Sequence, residues 1–452
     1  MHKQVPGAGT PRYSTSYIWY ATVVLTVAAT LSFIDRQVLA VMIEPVKQDL
    51  HITDTQVALL LGLAFVSFYT ALSIPAGWLA DRFSRRLVMG VGVFLWSLMT
   101  AFSGVAHTYP HLFLARMGVG VGEALLAPAA YSMLTDYFSR EKLPAAISLF
   151  SASPFIGVGL AFMLGGPLTE YLHAVPPIDL PVVGQVFSWQ LTFLAVGVPG
   201  ILLSVLVLLL KEPQRRGRLA VAEDPTGAPR TVPMIEIVRF IGSRWKYFAL
   251  HFAAFLCLST QGFALFAWII SFFVRVHGMG RGEIGLLYGG IALVVGLAGS
   301  MASGLYAGSM IRRGTPDATL RLVMWSAVFV APLAVAMTLV PSPWLAVVLL
   351  VPITFFMSMP PGLGNASLQV IAPNELRGQV MAFYLITVNF LSYLFAPLVV
   401  ALLNDHVFLG DASIGFSLST MAAFTYPTAA ICLAFGLKHY RAALRHAEDW
   451  EA

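Results

Sequence analysis

Residues 77–86 read GWLADRFSRR and separate two apolar runs, 58–79 and 87–106, each long enough to cross a bilayer. The charges of Asp81, Arg82, Arg85 and Arg86 are too costly to place in hydrocarbon, so the stretch is a tight turn at a membrane surface. Short loops rich in arginine mark the cytoplasmic surface, which sets the direction of both flanking spans.

The rest of the chain fits this turn. Of its 452 residues, 58% are apolar and 11% carry charge, against about 25% charge in a soluble domain. A soluble fold of this size still exposes roughly a quarter of its surface and could not hide so much apolar side chain. The reading is an all-α polytopic membrane protein. Glycine and proline do not veto helix inside the spans, because backbone buried in lipid has no better option. Twelve spans are expected, at 17–46, 55–79, 87–106, 110–136, 144–167, 189–210, 246–273, 283–311, 319–340, 343–371, 379–402 and 414–437. With both termini inside, 22 of the 27 lysines and arginines fall on the cytoplasmic side. Only Lys47, Arg275 and Arg281 fall outside, while Arg36 and Arg116 lie within spans. The expected location is the inner (cytoplasmic) cell membrane. The first 16 residues are polar, so the first span is expected to act as the targeting signal.

The expected organisation is a tail (1–16), a six-helix half (17–210), a proline-rich cytoplasmic central loop (211–245), a second six-helix half (246–437) and a tail (438–452). A weak repeat supports the halves. Residues 131–150 and 366–385 both run from a helix end through a charged turn into a helix that opens with small residues. Residues 304–314, GLYAGSMIRRG, echo the 77–86 turn without its aspartate. The outer loop 169–188, with Pro176, Pro177 and Pro181, is expected to form a small cap.

Several function classes are disfavoured. The net charge of +5 sits in short loops and is no nucleic-acid footprint. Cys257 and Cys432 fall in apolar runs, and neither a disulfide framework nor a metal site is expected. No nucleophile–base pair stands out, and His277 and His406 are isolated, so no enzyme is expected. A receptor would need a larger soluble domain than the 15 residues after Leu437.

The chemistry lies in charges within the spans. Asp35 and Arg36 sit in the first span, in LSFIDRQVLAVM. A charge at mid-membrane costs about 2.5–3.5 kcal/mol on insertion scales. Helix neighbours point roughly 100° apart, so each of the two needs its own partner. The fourth span, RMGVGVGEALLAPAA, offers Arg116 and Glu123, seven apart on one face, with Gly118, Gly120 and Gly122 allowing close approach. A four-residue network of Asp35, Arg36, Arg116 and Glu123 is expected. A fixed salt bridge that only sets packing would use the same residues. In a working site the carboxylates of Asp35 and Glu123 take protons, and an arginine released by protonation meets an anion. Arg116 is expected to matter more for anion binding than Arg36, because it shares a face with Glu123.

The second half is expected to hold no well-buried acid or base. Gln261, Phe263, Phe266, Phe356, Met357, Asn365, Phe383 and Tyr384 are its candidates for a cavity wall. Charge on one half and an aromatic wall on the other suit an amphipathic anion. Glycines and prolines in the fifth and tenth spans mark points of flexing.

With these residues in view, the chain resembles the major facilitator superfamily. GWLADRFSRR is similar to that family's loop pattern G-x-L-a-D-r-x-G-r-r, departing at Ser84. The resemblance implies a conformational latch at Gly77, Asp81, Arg82, Arg85 and Arg86, in which the Asp81 carboxylate pairs with the opposite half in the outward-facing state. FIDRQVLAVMIEPVKQDL and RMGVGVGEALLAPAAYSMLTDYF further resemble the Spinster family of lysolipid and sphingosine-1-phosphate transporters. That resemblance implies proton handling by Asp35 and Glu123, head-group contact by Arg36 and Arg116, no cofactor beyond the coupling proton, and a monomer. The function expected is proton-coupled movement of an amphipathic anionic lipid by alternating access. The alternative is a carrier of small soluble organic acids, such as aromatic or sugar acids.

Overall fold

The computed structural model describes residues 13–138, 142–173, 176–180, 184–214 and 234–451. Among these, twelve helices are long and apolar enough to cross a membrane. They are Thr15–Val41, Asp54–Ser73, Arg85–Ser103, Tyr109–Tyr137, Ala145–Leu172, Ser188–Leu208, Trp245–His277, Arg281–Arg312, Ala318–Leu339, Pro343–Ile371, Gln379–Phe408 and Asp411–His446. An even number of spans brings both chain ends to one face of the bundle, here called the terminal face. A short antiparallel hairpin, Ile178–Leu180 with Gly184–Val186, marks the opposite face and forms the segment expected as a cap.

The expected bounds need three corrections. The first span stops at Val41, and a separate short helix, Ile43–Leu50, turns the chain at the hairpin face. The central loop contains a helix, Met234–Ser243, which buries Ile237 and Phe240 against the start of the seventh span. Arg215, Arg216, Arg218 and Arg230 of that loop lie outside the described residues. The tail after residue 437 continues the last helix, Ile414–Glu451. In each case an amphipathic segment finds a packing face that apolar length alone does not reveal.

Spans one to six and seven to twelve form two bundles. They meet through the fifth span against the eighth, the second against the eleventh and the first against the seventh. Towards the hairpin face the apolar core runs continuously across both bundles: Val41, Met42 and Phe162 share a cluster with Trp268, Phe272 and Tyr288. Towards the terminal face the first bundle keeps a separate core around Trp96, Met133 and Tyr137. The two repeats noted in the sequence occupy matching places, the turns between spans four and five and between spans ten and eleven.

Candidate functional site

A cavity of about 610 Å³ lies between the bundles. Arg36 and Glu123 are on its wall, with Phe263, Phe266, Phe356, Met357, Asn365, Tyr384 and Tyr393 from the second half. Its lining residues come from the middle and the terminal-face ends of the spans, including Tyr131, Ser151, Ser300 and Leu385.

The four span charges come together as two pairs. Arg36 donates from Nε to Glu123 Oε2 at 2.6 Å, and its Nη2 forms an ion pair with the same oxygen at 2.6 Å. Asp35 lies 3.6 Å from Arg116 Nη1 and accepts a hydrogen bond from the Thr100 hydroxyl. Arg116 Nη1 also donates to the Asp35 carbonyl at 3.4 Å. Neighbours on one helix have thus taken separate partners, as their angular separation requires. Small residues let the spans approach closely enough: a Cβ at Gly120 would collide with the Phe65 carbonyl, and one at Gly122 with Trp96 of the third span.

The pairs differ in access. Arg116 and Asp35 side chains are each 1% exposed and are absent from the cavity wall, whereas Arg36 is 11% exposed on it. Although it shares a helix face with Glu123, Arg116 lies behind the wall, and Arg36 is the arginine on it. The Arg36 guanidinium also lies over the rings of Phe33, Phe65 and Tyr69, at 4.6, 4.8 and 4.9 Å. Aromatic faces are one of the few environments that stabilise an arginine displaced from its carboxylate. Glu123 ends the helical segment Tyr109–Glu123, and the span resumes at Leu126. Its second oxygen, Oε1, is buried without a hydrogen-bond partner among the described residues.

Two cavity candidates are corrected. Gln261 is buried away from the wall, where its side-chain oxygen accepts the Thr425 hydroxyl at 3.0 Å. Phe383 is 48% exposed and packs on Phe252 rather than on the cavity. A helical stretch does not disclose from composition which of its faces turns inward. The expectation of no buried acid or base in the second half is also corrected. His251 is 2% exposed in the seventh span, with Nε2 3.0 Å from the Ser367 hydroxyl. It sits in an aromatic run, WKYFALHFAAF, that gives no sign of facing the interior.

Polar contacts at the hairpin face join the two halves. Arg275 donates to both oxygens of Asp54, at 2.7 and 2.9 Å, and to Glu44 at 2.7 Å. Asn404 donates to Asp54 at 2.8 Å, Thr55 to Asp405 at 2.6 Å, Lys47 to Asp411 at 3.1 Å, and the Gly282 amide to Glu170 at 2.6 Å. Sequence reading counted Lys47 and Arg275 as outer-loop charges and missed this lock, because its members are far apart in the chain.

At the terminal face, Arg85 is fully buried and holds Asp136, the Ser132 hydroxyl, Glu212 and the Pro213 carbonyl. The Arg86 amide donates to Glu212, Arg82 lies over Trp78 at 4.7 Å, and Gly77 lies in the same helix, Leu63–Arg82. The side chain of Asp81 lies outside the described residues. These partners of Arg85 and Arg86 belong to the first half or to the first residues of the central loop, and none to the second half. Burial works to raise the Glu212 carboxyl, but Arg85, the Arg86 amide and the Ser84 hydroxyl outweigh it and hold it below the usual carboxylate range. In the second half, Asp317 is likewise held low against its burial by Arg321 and Arg441. No group of three or more metal-ligating side chains occurs among the described residues.

Residues 25–397 match the model of the Major Facilitator Superfamily. The chain is 26% identical over 448 residues to an MFS-type efflux pump of Mycolicibacterium smegmatis, covering 95% of each chain. It is 25% identical over 307 residues to a probable L-galactonate transporter of Escherichia coli, covering 65% of this chain and 62% of that one. Its fold is similar to a crystal structure of a bacterial homologue of the human lysosomal transporter Spinster in an inward-facing, unoccupied conformation. The TM-score there is 0.78 at 24% identity, covering 96% of this chain and 99% of the other.

Proposed function

The chain belongs to the major facilitator superfamily, whose members are transporters and not enzymes, and on that premise we propose that it is a proton-coupled carrier of an amphipathic anionic lipid. The observation that carries this reading is the Arg36–Glu123 pair on a cavity wall whose other side is predominantly apolar, with Phe263, Phe266, Phe356 and Met357 among scattered hydroxyl and amide groups such as Ser326, Asn365 and Asn389. A permanent cation opposite apolar surface fits a ligand with an anionic head and a hydrocarbon tail.

The working cycle follows from protonation. While Glu123 is ionised it occupies Arg36. A proton on Glu123 removes that competition, and the guanidinium, still supported by Phe33, Phe65 and Tyr69, takes the head group. Asp35 and Arg116, sealed behind the wall, hold the first and fourth spans in register and form a second protonation site. The hairpin-face lock closes one side while the cavity reaches the other. Opening the lock and closing the terminal face, with Asp81 reaching the second half, completes alternating access. On this reading the termini lie in the cytoplasm, as the split of lysines and arginines between the two sides supports, and the protein acts as a monomer in the inner membrane.

The test is transport in liposomes of a labelled lysophosphatidylglycerol, with and without a pH gradient, with a sugar acid run in parallel. Gradient-driven lipid movement that is lost in Glu123→Gln is the expected result. The likeness to the L-galactonate carrier favours a second reading, a carrier of small organic acids. Clear acid uptake without lipid movement selects it.

A further inference from the structure

We infer that the eighth, ninth and tenth spans form a lateral portal that seats one acyl chain of a lipid drawn from the bilayer and leads it into the central cavity. This rests on the lipid-carrier reading for its purpose, but its geometry is independent of proton coupling.

The cavity does not stop at the facing helices. It penetrates the second bundle as far as the ninth span, where Ser326, Ala327 and Val330 line it although each is at most 3% exposed. About one turn nearer the terminal face, the same three spans carry a second apolar recess of about 490 Å³. Its lining includes Ser303, Leu305, Tyr306, Leu322, Phe355 and Met359. Leu305 and Tyr306 are 74% and 61% exposed, so this recess opens on the outer surface of a membrane-spanning helix.

The wall between the two spaces is the break in the tenth span. One helical segment ends at Met357 and the next begins at Pro360. Met357, Ser358 and Pro360 face the cavity, while Phe355 and Met359 face the recess. Pro360 and Pro361 bring no amide hydrogen, so the helical ladder is interrupted here. The eighth span presses directly on the break at Gly299, where any Cβ would collide with the Phe355 carbonyl and the Ser358 hydroxyl. Among the described residues no charged side chain lines the recess, which suits hydrocarbon better than a head group.

The experiment uses the full chain in nanodiscs, without a pH gradient, and a lysophosphatidylglycerol bearing a diazirine on its acyl chain. After photolysis, adducts are mapped by peptide mass. Adducts are expected on the recess (Leu305, Tyr306, Met359) and on the inner chamber (Ser326, Val330, Met357). Leu322→Trp, or Leu305→Trp should the first melt early, fills the recess and is expected to remove the chamber adducts. Leu286→Trp, elsewhere on the exposed face of the eighth span, is expected to leave them. Chamber adducts unchanged by both filling variants would overturn the portal. So would a recess labelled no more than other lipid-facing surfaces, or one cross-linked to a second copy of the chain. Crosslinks intact without gradient-driven transport would leave the portal standing and sink the coupled-carrier reading instead.

Discussion

Arg275 of the second half donates to both carboxylate oxygens of Asp54 in the first half, and the two side chains are 4% and 1% exposed. Lys47, at 2.6 Å, and Asn404 complete the coordination of Asp54. The carboxylate is therefore the keystone of the closed hairpin face.

Breaking a buried ion pair by removing one partner costs on the order of 3 kcal/mol. Asp54→Asn is expected to move the balance of states towards an open hairpin face, roughly a hundredfold at that cost. Spin labels at the exposed positions His51 and Val407, one on each half, report the change. Longer distances in the variant are expected, and an unchanged distribution would remove Asp54 from the lock.

The two arginines should separate binding from folding. Arg36→Ala is expected to weaken binding of an anionic lysolipid more than Arg116→Ala does, because Arg36 lies on the wall and Arg116 behind it. Arg116→Ala leaves Asp35 buried without its cation, and should cost about 3–5 kcal/mol of stability. Titration calorimetry and melting curves on both variants check the pair of outcomes. A greater binding loss in Arg116→Ala would reinstate the ranking drawn from helix spacing.

Phe263 stacks on Tyr393 with ring centroids 3.9 Å apart and lines the cavity. Phe263→Ala is expected to lower lysolipid affinity about tenfold, the effect of losing roughly 1.5 kcal/mol of apolar contact. Affinity for a small sugar acid should hardly change. Equal losses for both ligands would mean the ring shapes the cavity without meeting a tail.

The terminal-face clamp predicts an acid limb in stability. Glu212 is held below its ordinary carboxylate value of about 4.5, so its contribution is complete above that pH and is lost as pH falls through the lowered folded-state value. Melting temperature should therefore fall on acidification more steeply in the parent than in Glu212→Gln. Parallel curves for the two proteins would show that Arg85 draws its stabilisation from Asp136 instead.

Much of the site was legible because its signals are local. Asp35 and Arg36 are adjacent, Arg116 and Glu123 share one helix face, and charge amid apolar residues is conspicuous in any linear reading. Composition and the period of apolar runs gave twelve spans for the same reason: lipid demands about 20 apolar residues per crossing wherever they fall. What escaped were features without a local signature. The interruption after Glu123, the π-helical turn Leu385–Asn389 beside Tyr384 and the lock around Asp54 belong to this class.

The sequence by itself determined that the chain spans a membrane twelve times in two similar halves, and that ionisable groups sit where hydrocarbon would exclude them. These follow from solvation, a property of each segment taken alone. Tertiary structure decided which arginine meets the cavity, which aromatic residues form its wall and which face is sealed. Those outcomes depend on helix rotation and on pairings such as Asp54 with Arg275, separated by 221 residues. Solvation energy is indifferent to such choices, and only packing of the two halves against each other fixes them.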